Sequence, residues 1–296
     1  MLPYFKKAEN FHGDGDEEFH GYSGPLHVKK SDREDDLLLD KFIEAGEEAG
    51  FPLTRDFNGK EQEGFSRYEH TINDTPRGPR RWSSAQAYLH PALKRKNLFN
   101  ETNVTVDKLI FDGKKVKGIE YVNEKGVRTS CFVNREVILS AGALGSPQIL
   151  MRSGIGDSND ITKYGIEMVH ELKGVGKNLQ DHYGVTSAFY ATQPVTLHRS
   201  ASWLSTQIAG IKYLLFGTGD AAYPPCSGGA FIKSSPDKDL PDTQLHYVSV
   251  QSQDQHFREG VTLDHGFGCI AYICRPQSRG HLTLKSSCLL YTSPSP

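Results

Sequence analysis

The spacing of apolar positions predicts a helix near the beginning of the chain. Leu38, Phe42, Ala45 and Ala49 recur every three or four residues, which places them on one face of a helix over residues 36–50. A glycine and, two residues later, a proline end this pattern. The apolar face predicts that the helix packs against a core.

Before and after this helix the pattern changes. Residues 9–35 are rich in Gly, Asp, Glu and His, which predicts a long loop interrupted by a short strand at residues 24–28. Two alternating segments, 104–111 and 116–122, are joined by an Asp-Gly turn and predict a β-hairpin. Residues 129–134 are predicted to add a further strand.

An apolar run that ends in small residues follows the hairpin. Residues 136–140 predict a central, buried strand, which delivers the backbone to Gly142, where a ligand can approach closely. A helix with Pro147 at its first position is expected next, and its free N–H groups favour an anionic ligand. Gly154 and Gly156 end this helix.

The last third of the chain changes from α/β to mainly antiparallel β character. Four strands are predicted, at residues 184–192, 243–250, 268–275 and 281–284. They surround one helix with apolar residues at helical spacing, which predicts core packing: Trp203, Leu204, Ile208, Ile211 and Leu215. The chain as a whole is therefore predicted to have a mixed α/β (α+β) fold.

Composition and charge exclude several functional classes. The net charge of −2 gives no indication of a nucleic-acid or anionic-membrane partner. The densest basic run, at residues 94–96, is short and typical of a solvated helix end. No apolar run approaches the roughly 20 residues that a membrane span requires.

Metal and disulfide chemistry is also not indicated. The five cysteines are odd in number and irregularly spaced, without a Cys-x-x-Cys pair, and free buried thiols are expected. The histidines lack the i, i+4 spacing of a helical metal site. Two glycine strings, at residues 217–222 and 174–179, do not qualify as dinucleotide fingerprints: the first follows a helix and precedes two prolines, and the second lacks the last glycine.

Several segments in order carry a family resemblance. The string 142–156 (GALGSPQILMRSGIG) resembles the second signature of the glucose–methanol–choline (GMC) oxidoreductases. Further matches to this family are GPL at 24–26, DFNGKEQEGF at 56–65, RWSSAQAYLHP at 81–91, VGKNLQDH at 175–182 and RPQSRG at 275–280. The pattern is closest to the choline-dehydrogenase-like members of the family.

The resemblance implies a fold and a cofactor. Members of the family bind FAD on a Rossmann-like domain built from discontinuous segments, beside an antiparallel-sheet substrate domain. The resemblance assigns the adenine contact to the strand of Val104 and Val106, with Val106 as the nearer contact. It also assigns the small turn beside the adenosine and the segment that runs close to the flavin: Ser140, Ala141 and Gly142, then Asn178 and Asp181.

Three other residues of the matched segments have less specific roles. His182 does not correspond to the catalytic histidine of the family and is expected to be a hydrogen-bonded structural residue. Arg81 and Ser83 either serve the cofactor region or cap the helix that follows them. The sequence alone does not decide between these two roles.

Two features of the family are missing from the sequence. It contains no G-x-G-x-x-G string to hold the FAD pyrophosphate, and it stops before the segment that carries the catalytic histidine. We therefore expect an internal fragment that neither holds FAD tightly nor turns over. Residues 288–296 (CLLYTSPSP) resemble the translation of a sequencing adapter and are expected not to be natural protein.

The predicted domains follow from the matched segments. Residues 1–80 are expected to form an extension of the FAD domain and the first strand of the substrate domain. Residues 81–182 are expected to belong to the FAD-binding domain, and residues 183–287 to the substrate-binding domain.

For the complete parent protein, the resemblance implies oxidation of the CH–OH group of a small alcohol, with hydride passing to the flavin. The electron acceptor is oxygen or a quinone, and choline recognition would require an aromatic and anionic cage, which the sequence does not reveal. Two alternatives stay open: a flavoprotein lyase similar to hydroxynitrile lyases, and a non-catalytic descendant of the family if the chain ends are genuine.

Overall fold

Helices and strands alternate irregularly along the chain. The computed structural model describes residues 1–30, 36–197, 202–250 and 265–288. The helices are α1 (Leu2–Ala8), α2 (Leu37–Glu48), α3 (His90–Ala92), α4 (Gly142–Arg152), α5 (Ser158–Ile161) and α6 (Trp203–Phe216), with a π-helical turn at Ala85–Leu89 and 3-10 turns at Thr162–Tyr164 and Asp220–Ala222.

The strands are short, and most pair in an antiparallel manner. In chain order they are β1 (Glu9–His12), β2 (Leu26–Lys30), β3 (Gly64–Arg67), β4 (Glu69–His70), β5 (Ile72–Thr75), β6 (Gly78–Arg81), β7 (Val104–Asp112), β8 (Lys115–Asn123), β9 (Arg128–Phe132), β10 (Ile155–Gly156), β11 (His170–Glu171), β12 (Lys177–Leu179), β13 (Gly184–Tyr190), β14 (Gly228–Ile232), β15 (Thr243–Val248), β16 (Gly266–Ile273) and β17 (Gly280–His281). The chain is therefore mixed α/β, as predicted.

Two units divide the chain. The first contains residues 1–98 and 182–275, and the second contains residues 99–181 and 276–296. The predicted adapter-derived tail falls almost entirely on residues 289–296, which lie outside the described residues.

A five-stranded antiparallel sheet forms the centre of the first unit. Its strand order is β13-β16-β15-β14-β3. Helix α2 packs on this sheet, where Leu39 and Tyr247 are completely buried and the Phe42 ring lies 5.6 Å from that of Tyr247. The absence of a side chain at Gly228 admits Leu39, because a Cβ at that position would lie 2.5 Å from a Leu39 methyl carbon.

The buried face of α2 differs from the predicted one by about one position. Leu39 and Gly46 are buried, whereas Ala45 and Ala49 are exposed. The Phe65 ring lies against Gly46 so closely that a Cβ there would be 2.5 Å from it. Contact with the Phe65 ring therefore determines which face of α2 is buried. Phe65 lies outside the helix, so the helix sequence alone does not predict this contact.

A buried carboxylate fixes the start of α2 on the sheet. Asp36 is the N-cap, and its side chain accepts a hydrogen bond from the Leu39 N–H at 3.3 Å. It also accepts hydrogen bonds from the Ser227 hydroxyl at 3.0 Å and the Tyr247 hydroxyl at 3.1 Å. One side chain thus satisfies the helix end and two buried hydroxyl groups.

We expect Asp36→Ala to destabilise the first unit by about 2–3 kcal/mol, because the cap is lost and buried hydroxyl groups lose an acceptor. Urea denaturation followed by circular dichroism measures this cost. The exposed Glu47→Ala on the same helix serves as control and should change stability by less than about 0.5 kcal/mol. Equal effects of the two substitutions would contradict the assignment.

Part of the predicted loop at residues 9–35 forms a second small sheet in the first unit. Strands β1 and β2 pair in parallel, and β4 joins β2 in an antiparallel manner. The predicted strand after the Gly-Pro turn is confirmed by β2, whereas β1 was missed because its polar composition (ENFH) has no clear alternation. Residues 31–35 of the predicted loop lie outside the described residues.

Helix α6 occurs where it was predicted, but its environment differs. It begins at the N-cap Ser202 and ends at Gly217, which has a φ of 67°. The prediction that its apolar residues form core is wrong, because each of them is exposed: Trp203, Leu204, Ile208, Ile211 and Leu215. Helical spacing indicates which side chains share one face of a helix, but it does not determine whether another part of the protein covers that face.

The second unit contains the predicted hairpin and the glycine-flanked helix. Strands β7, β8 and β9 form an antiparallel sheet, and Gly113 occupies the tight turn with a φ of 58°. Its core consists of Met151, Ile161 and Leu284. Of the later predicted strand at 281–284 only His281 lies in a strand, β17, which pairs with β12.

Two predictions for this unit are wrong. Residues 136–140 do not form a strand, and Ile138 is 78% exposed. Among the described residues no strand pairs with them, and an apolar segment without a neighbour has no ladder to join. Helix α4 begins at Gly142 rather than at Pro147, which lies inside the helix.

The described residues also bear on membrane insertion, metal binding and the state of the cysteines. Within it, no helix combines the length and apolar character required to cross a membrane, and no cluster of three or more His, Cys, Asp or Glu side chains has the arrangement of a metal site. The five cysteines are free; Cys131 and Cys288 are exposed, so burial of all five thiols was a wrong expectation.

Candidate functional site

The start of helix α4 exposes backbone for a ligand. Gly142 has a φ of 79°, and no atom lies within 4 Å of the position that a Cβ would occupy. The Ser146 hydroxyl accepts a hydrogen bond from the Ala141 N–H at 3.0 Å, which holds the turn before the helix. The N–H groups of the first helical turn have no acceptor within the helix, which favours a negatively charged ligand group there.

A second glycine-rich segment, residues 174–180, lies opposite this helix. Gly176 has a φ of 77°, and a Cβ there would lie 2.4 Å from the Leu282 carbonyl oxygen. The Leu282 N–H donates to the Gly176 carbonyl at 2.7 Å, so this hydrogen bond holds the two segments in contact. Asn178 also has a positive φ, of 61°, which a non-glycine residue adopts rarely.

These two segments enclose a cavity of about 480 Å³. One wall consists of α4 residues Ala143, Ser146, Pro147 and Leu150, and the other wall of residues 174–180 with Leu282. Its lining is mainly apolar, with Ser146, Lys177, Asn178 and Gln180 as polar residues. The volume is in the range of small-molecule and cofactor sites.

A buried ion-pair network holds α4 on strand β7. Asp107 is 3% exposed and forms ion pairs with Arg152 of α4 and with Arg128. Burial alone would raise the pKa of Asp107, but hydrogen bonds from Arg128 and Arg152 together with their charges outweigh burial and lower the pKa. Ser153 adds a hydrogen bond, since its hydroxyl accepts from the Leu109 N–H at 2.8 Å.

The six predicted cofactor residues all lie in the second unit. Val106 is half-buried on β7, at an irregularity in its pairing with β8. Asn178 lines the cavity, and Gly142 directly precedes the lining residue Ala143. Ser140, Ala141 and Asp181 are exposed and do not line it. Of the six, only Asn178 lines the cavity, and Gly142 and Asp181 are each next in sequence to a lining residue.

The three residues with less specific roles lie in the first unit. His182 is exposed, and among the described residues no hydrogen bond of its side chain is seen, so its structural role stays a prediction. Ser83 accepts a hydrogen bond from the Gln86 N–H at 3.4 Å, as a helix-capping residue does. Arg81 lines a separate cavity, which is described below.

Sequence reasoning missed Asp107 and Arg152, which position the site without lining it. A signal was present, because Asp107 lies on a predicted strand two residues before Leu109, and both of these side chains are buried. A charged residue at such a position requires a partner. The partner Arg152 was not identifiable from spacing, since 45 residues separate the two.

The cavity and its edges fit the adenosine part of a dinucleotide. Glycine at position 142 leaves space for close approach, and helix N–H groups suit a negatively charged oxygen. The walls are mainly apolar, and Val106, the predicted adenine contact, does not line them. No glycine fingerprint for the pyrophosphate occurs in the sequence. The fit therefore covers a part of FAD only.

Comparison with known proteins identifies the family of this chain. The family model for GMC oxidoreductase matches residues 1–184. Oxygen-dependent choline dehydrogenases of Escherichia coli, from strains O139:H28 and K12, are 39% identical over 286 residues, which is 96% of this chain and 50% of theirs. The chain thus spans about half the length of the curated relatives it matches.

Solved structures show the same fold. Pyridoxine 4-oxidase from Mesorbium loti has a TM-score of 0.78 at 26% identity, covering 98% of this chain and 52% of that one. Formate oxidase has a TM-score of 0.82 at 23% identity, covering 98% of this chain and 55% of that one. On the family match over residues 1–184 and the 39% identity to its members, this chain belongs to the GMC oxidoreductase family.

Proposed function

We propose that this chain supplies the adenosine-binding part of an FAD-dependent oxidoreductase that acts on the CH–OH group of a small alcohol. The observation that carries the proposal is the cavity between α4 and residues 174–180, with Gly142 at one edge and Asn178 in its wall. Membership of the GMC family supports it, and FAD is named for a structural relative, the formate oxidase of Aspergillus oryzae RIB40.

The residues have separate roles in this proposal. Val106 contacts the adenine, and Ser140, Ala141 and Gly142 leave room for the adenosine beside the helix start. Asn178 and Asp181 anchor the segment that continues toward the flavin. Asp107 and Arg152 hold β7 and α4 together, so that the adenine strand and the glycine turn keep a fixed separation.

A bound FAD would supply the hydride-accepting chemistry for oxidation of the alcohol. This chain binds and orients the cofactor, and the proposal assigns the proton transfer to none of its residues. The substrate is a small alcohol, with choline as the first candidate because of the 39% identical choline dehydrogenases. The acceptor is oxygen or a quinone.

A binding experiment with two ligands tests the adenosine site. The purified chain is titrated with FAD and with FMN, which lacks the adenosine half, by isothermal calorimetry. We expect weak binding of FAD and at least about tenfold weaker binding of FMN, since FMN has nothing to place in the cavity. Equal affinities for the two flavins would contradict the assignment.

A matched pair of glycine variants localises the site. Gly142 and Gly113 both have a positive φ and open space around the Cβ position, and asparagine tolerates this backbone better than other residues do. We expect Gly142→Asn to weaken FAD binding by about tenfold or more, because the added side chain enters the space of the ligand, and Gly113→Asn to leave binding unchanged.

The reaction itself is tested on protein expressed from the complete reading frame of the source gene. Anaerobic addition of choline or a neutral primary alcohol should bleach the absorbance of the oxidised flavin. Cleavage of a cyanohydrin without flavin reduction would instead identify a lyase. A protein expressed from that frame that binds FAD but does neither would overturn the catalytic part of the proposal.

A further inference from the structure

A cavity of about 410 Å³ lies in the first unit, where the hairpin β5–β6 meets helix α6 and the turn that follows it. Arg80, Arg81 and Thr71 supply polar groups to its lining. Ile72, Pro79 and Pro224 contribute apolar surface. The site lies wholly within the first unit and does not rest on the proposed function.

The positive charge of this cavity has no counter-charge. No aspartate or glutamate is part of its lining, and among the residues that the structure describes none forms an ion pair with Arg80 or Arg81. The carboxylates nearest in sequence have other partners, because Glu69 lies 3.6 Å from the Lys30 ammonium and Asp74 lies 2.8 Å from that of Lys29. Two guanidinium groups without a carboxylate partner favour an anionic ligand.

The position of Arg80 is fixed before any ligand arrives. Its guanidinium carbon lies 4.5 Å from the centre of the Tyr213 ring, in a cation–π contact. The Tyr213 hydroxyl donates to the Pro79 carbonyl at 3.1 Å. A Cβ on Gly78 would lie 2.4 Å from the Gly217 Cα, so the hairpin and the end of α6 are in backbone contact. Such pre-organisation reduces the entropy that a ligand must overcome.

The shape of the cavity restricts the class of anion. A planar carboxylate matches the donor geometry of a guanidinium, whereas the apolar surface of Ile72, Pro79 and Pro224 offers nothing to the other oxygens of a fully hydrated ion. His70 also lines the cavity, and burial lowers its pKa, so that it adds no charge at neutral pH. The two arginines therefore supply the charge.

We propose that this cavity binds a small organic carboxylate, with its carboxylate group on Arg80 and Arg81 and its apolar body against Ile72, Pro79 and Pro224. The carboxylate group and the apolar body contribute jointly. An inorganic anion and a neutral organic molecule each make only one of these two sets of contacts.

Calorimetric titration of the purified chain with benzoate, benzamide and inorganic phosphate tests the proposal. We expect benzoate to bind and both other probes to bind at least about tenfold more weakly, since each lacks one set of contacts. Phosphate binding as tight as that of benzoate, or no benzoate binding at millimolar concentration, would overturn it.

Three single variants of the hairpin separate a built site from general positive charge. Arg80→Met and Arg81→Met each remove a lining guanidinium, whereas Arg77→Met removes an exposed one that does not line the cavity. The first two should weaken benzoate binding about tenfold, and the third should leave it unchanged. Equal losses in all three would overturn the proposal. Arg81 is exposed, so its variant keeps the test valid if Arg80→Met does not fold.

Discussion

Replacing Asp107 by asparagine is expected to destabilise the second unit by about 3–5 kcal/mol, the cost of leaving one partner of a buried ion pair unpaired. The Arg152 side chain is only 7% exposed and would lose its counter-charge. Because Arg152 also donates to the backbone of Asp107 at 3.3 Å, the contact between α4 and β7 would loosen. Urea denaturation followed by circular dichroism measures the change.

The same network contains its own control. Arg128 pairs with the same carboxylate, but its side chain is 58% exposed. Arg128→Gln should therefore cost less than about 1 kcal/mol, as exposed ion pairs do. The double variant Asp107→Leu with Arg152→Met, which removes both charges, should be far more stable than Asp107→Asn alone. If Arg128→Gln and Asp107→Asn cost the same, burial does not determine the energetics of this network.

Replacing His20 by alanine is expected to destabilise the first unit by about 3 kcal/mol, because two partly buried carboxylates lose their shared donor. His20 is 2% exposed, and its ring lies between the Glu9 carboxylate at 3.0 Å and the Asp56 carboxylate at 2.8 Å. It also stacks on the Phe11 ring at a centroid distance of 3.9 Å. One side chain thus joins β1, the loop and the turn at Asp56.

The charge of His20 makes this contribution dependent on pH. Burial alone would lower its pKa, but hydrogen bonds to Asp56 and Glu9 and their negative charges outweigh burial and raise the pKa above its ordinary value of 6.5. Protonated His20 therefore stabilises the folded state. This contribution is fully present below pH 6.5 and is lost as the pH rises through the raised pKa of the folded state.

We expect the free energy of unfolding to decrease on raising the pH above 6.5, and His20→Gln to remove most of this decrease. His90 is exposed, and His90→Gln serves as the control that should keep the wild-type pH dependence. Denaturation curves at several pH values give both results. A wild-type slope in His20→Gln would show that another group titrates.

Regular local patterns were sufficient for much of the fold. Helix α6 has the predicted bounds, and the hairpin of β7 and β8 with its Gly113 turn follows from alternation and an Asp-Gly pair. These elements depend on residues that are close in sequence, such as a cap, a turn glycine and a periodic face. The segment order that identifies the GMC family is likewise a property of the sequence alone.

Tertiary contacts decided what local patterns did not. Phe65 rotates the buried face of α2, and residues 136–140 remain outside any sheet because no strand among the described residues pairs with them. Alternation indicates that a segment can be a strand, but hydrogen bonds from a neighbour make it one. The exposure of α6 has the same origin, since nothing in its own sequence specifies a covering surface.

For the candidate site, too, the sequence and the tertiary structure determined different features. The sequence by itself determined the family, the mixed α/β fold and the glycine-flanked segments at residues 142–156 and 174–180. Only the tertiary structure decided that α4 and Asn178 line one cavity, that Asp107 pairs with Arg152, and that Arg80 and Arg81 share a second cavity. Cavities and buried ion pairs join residues far apart in the chain, and their separation in space is fixed by packing, which no local pattern encodes.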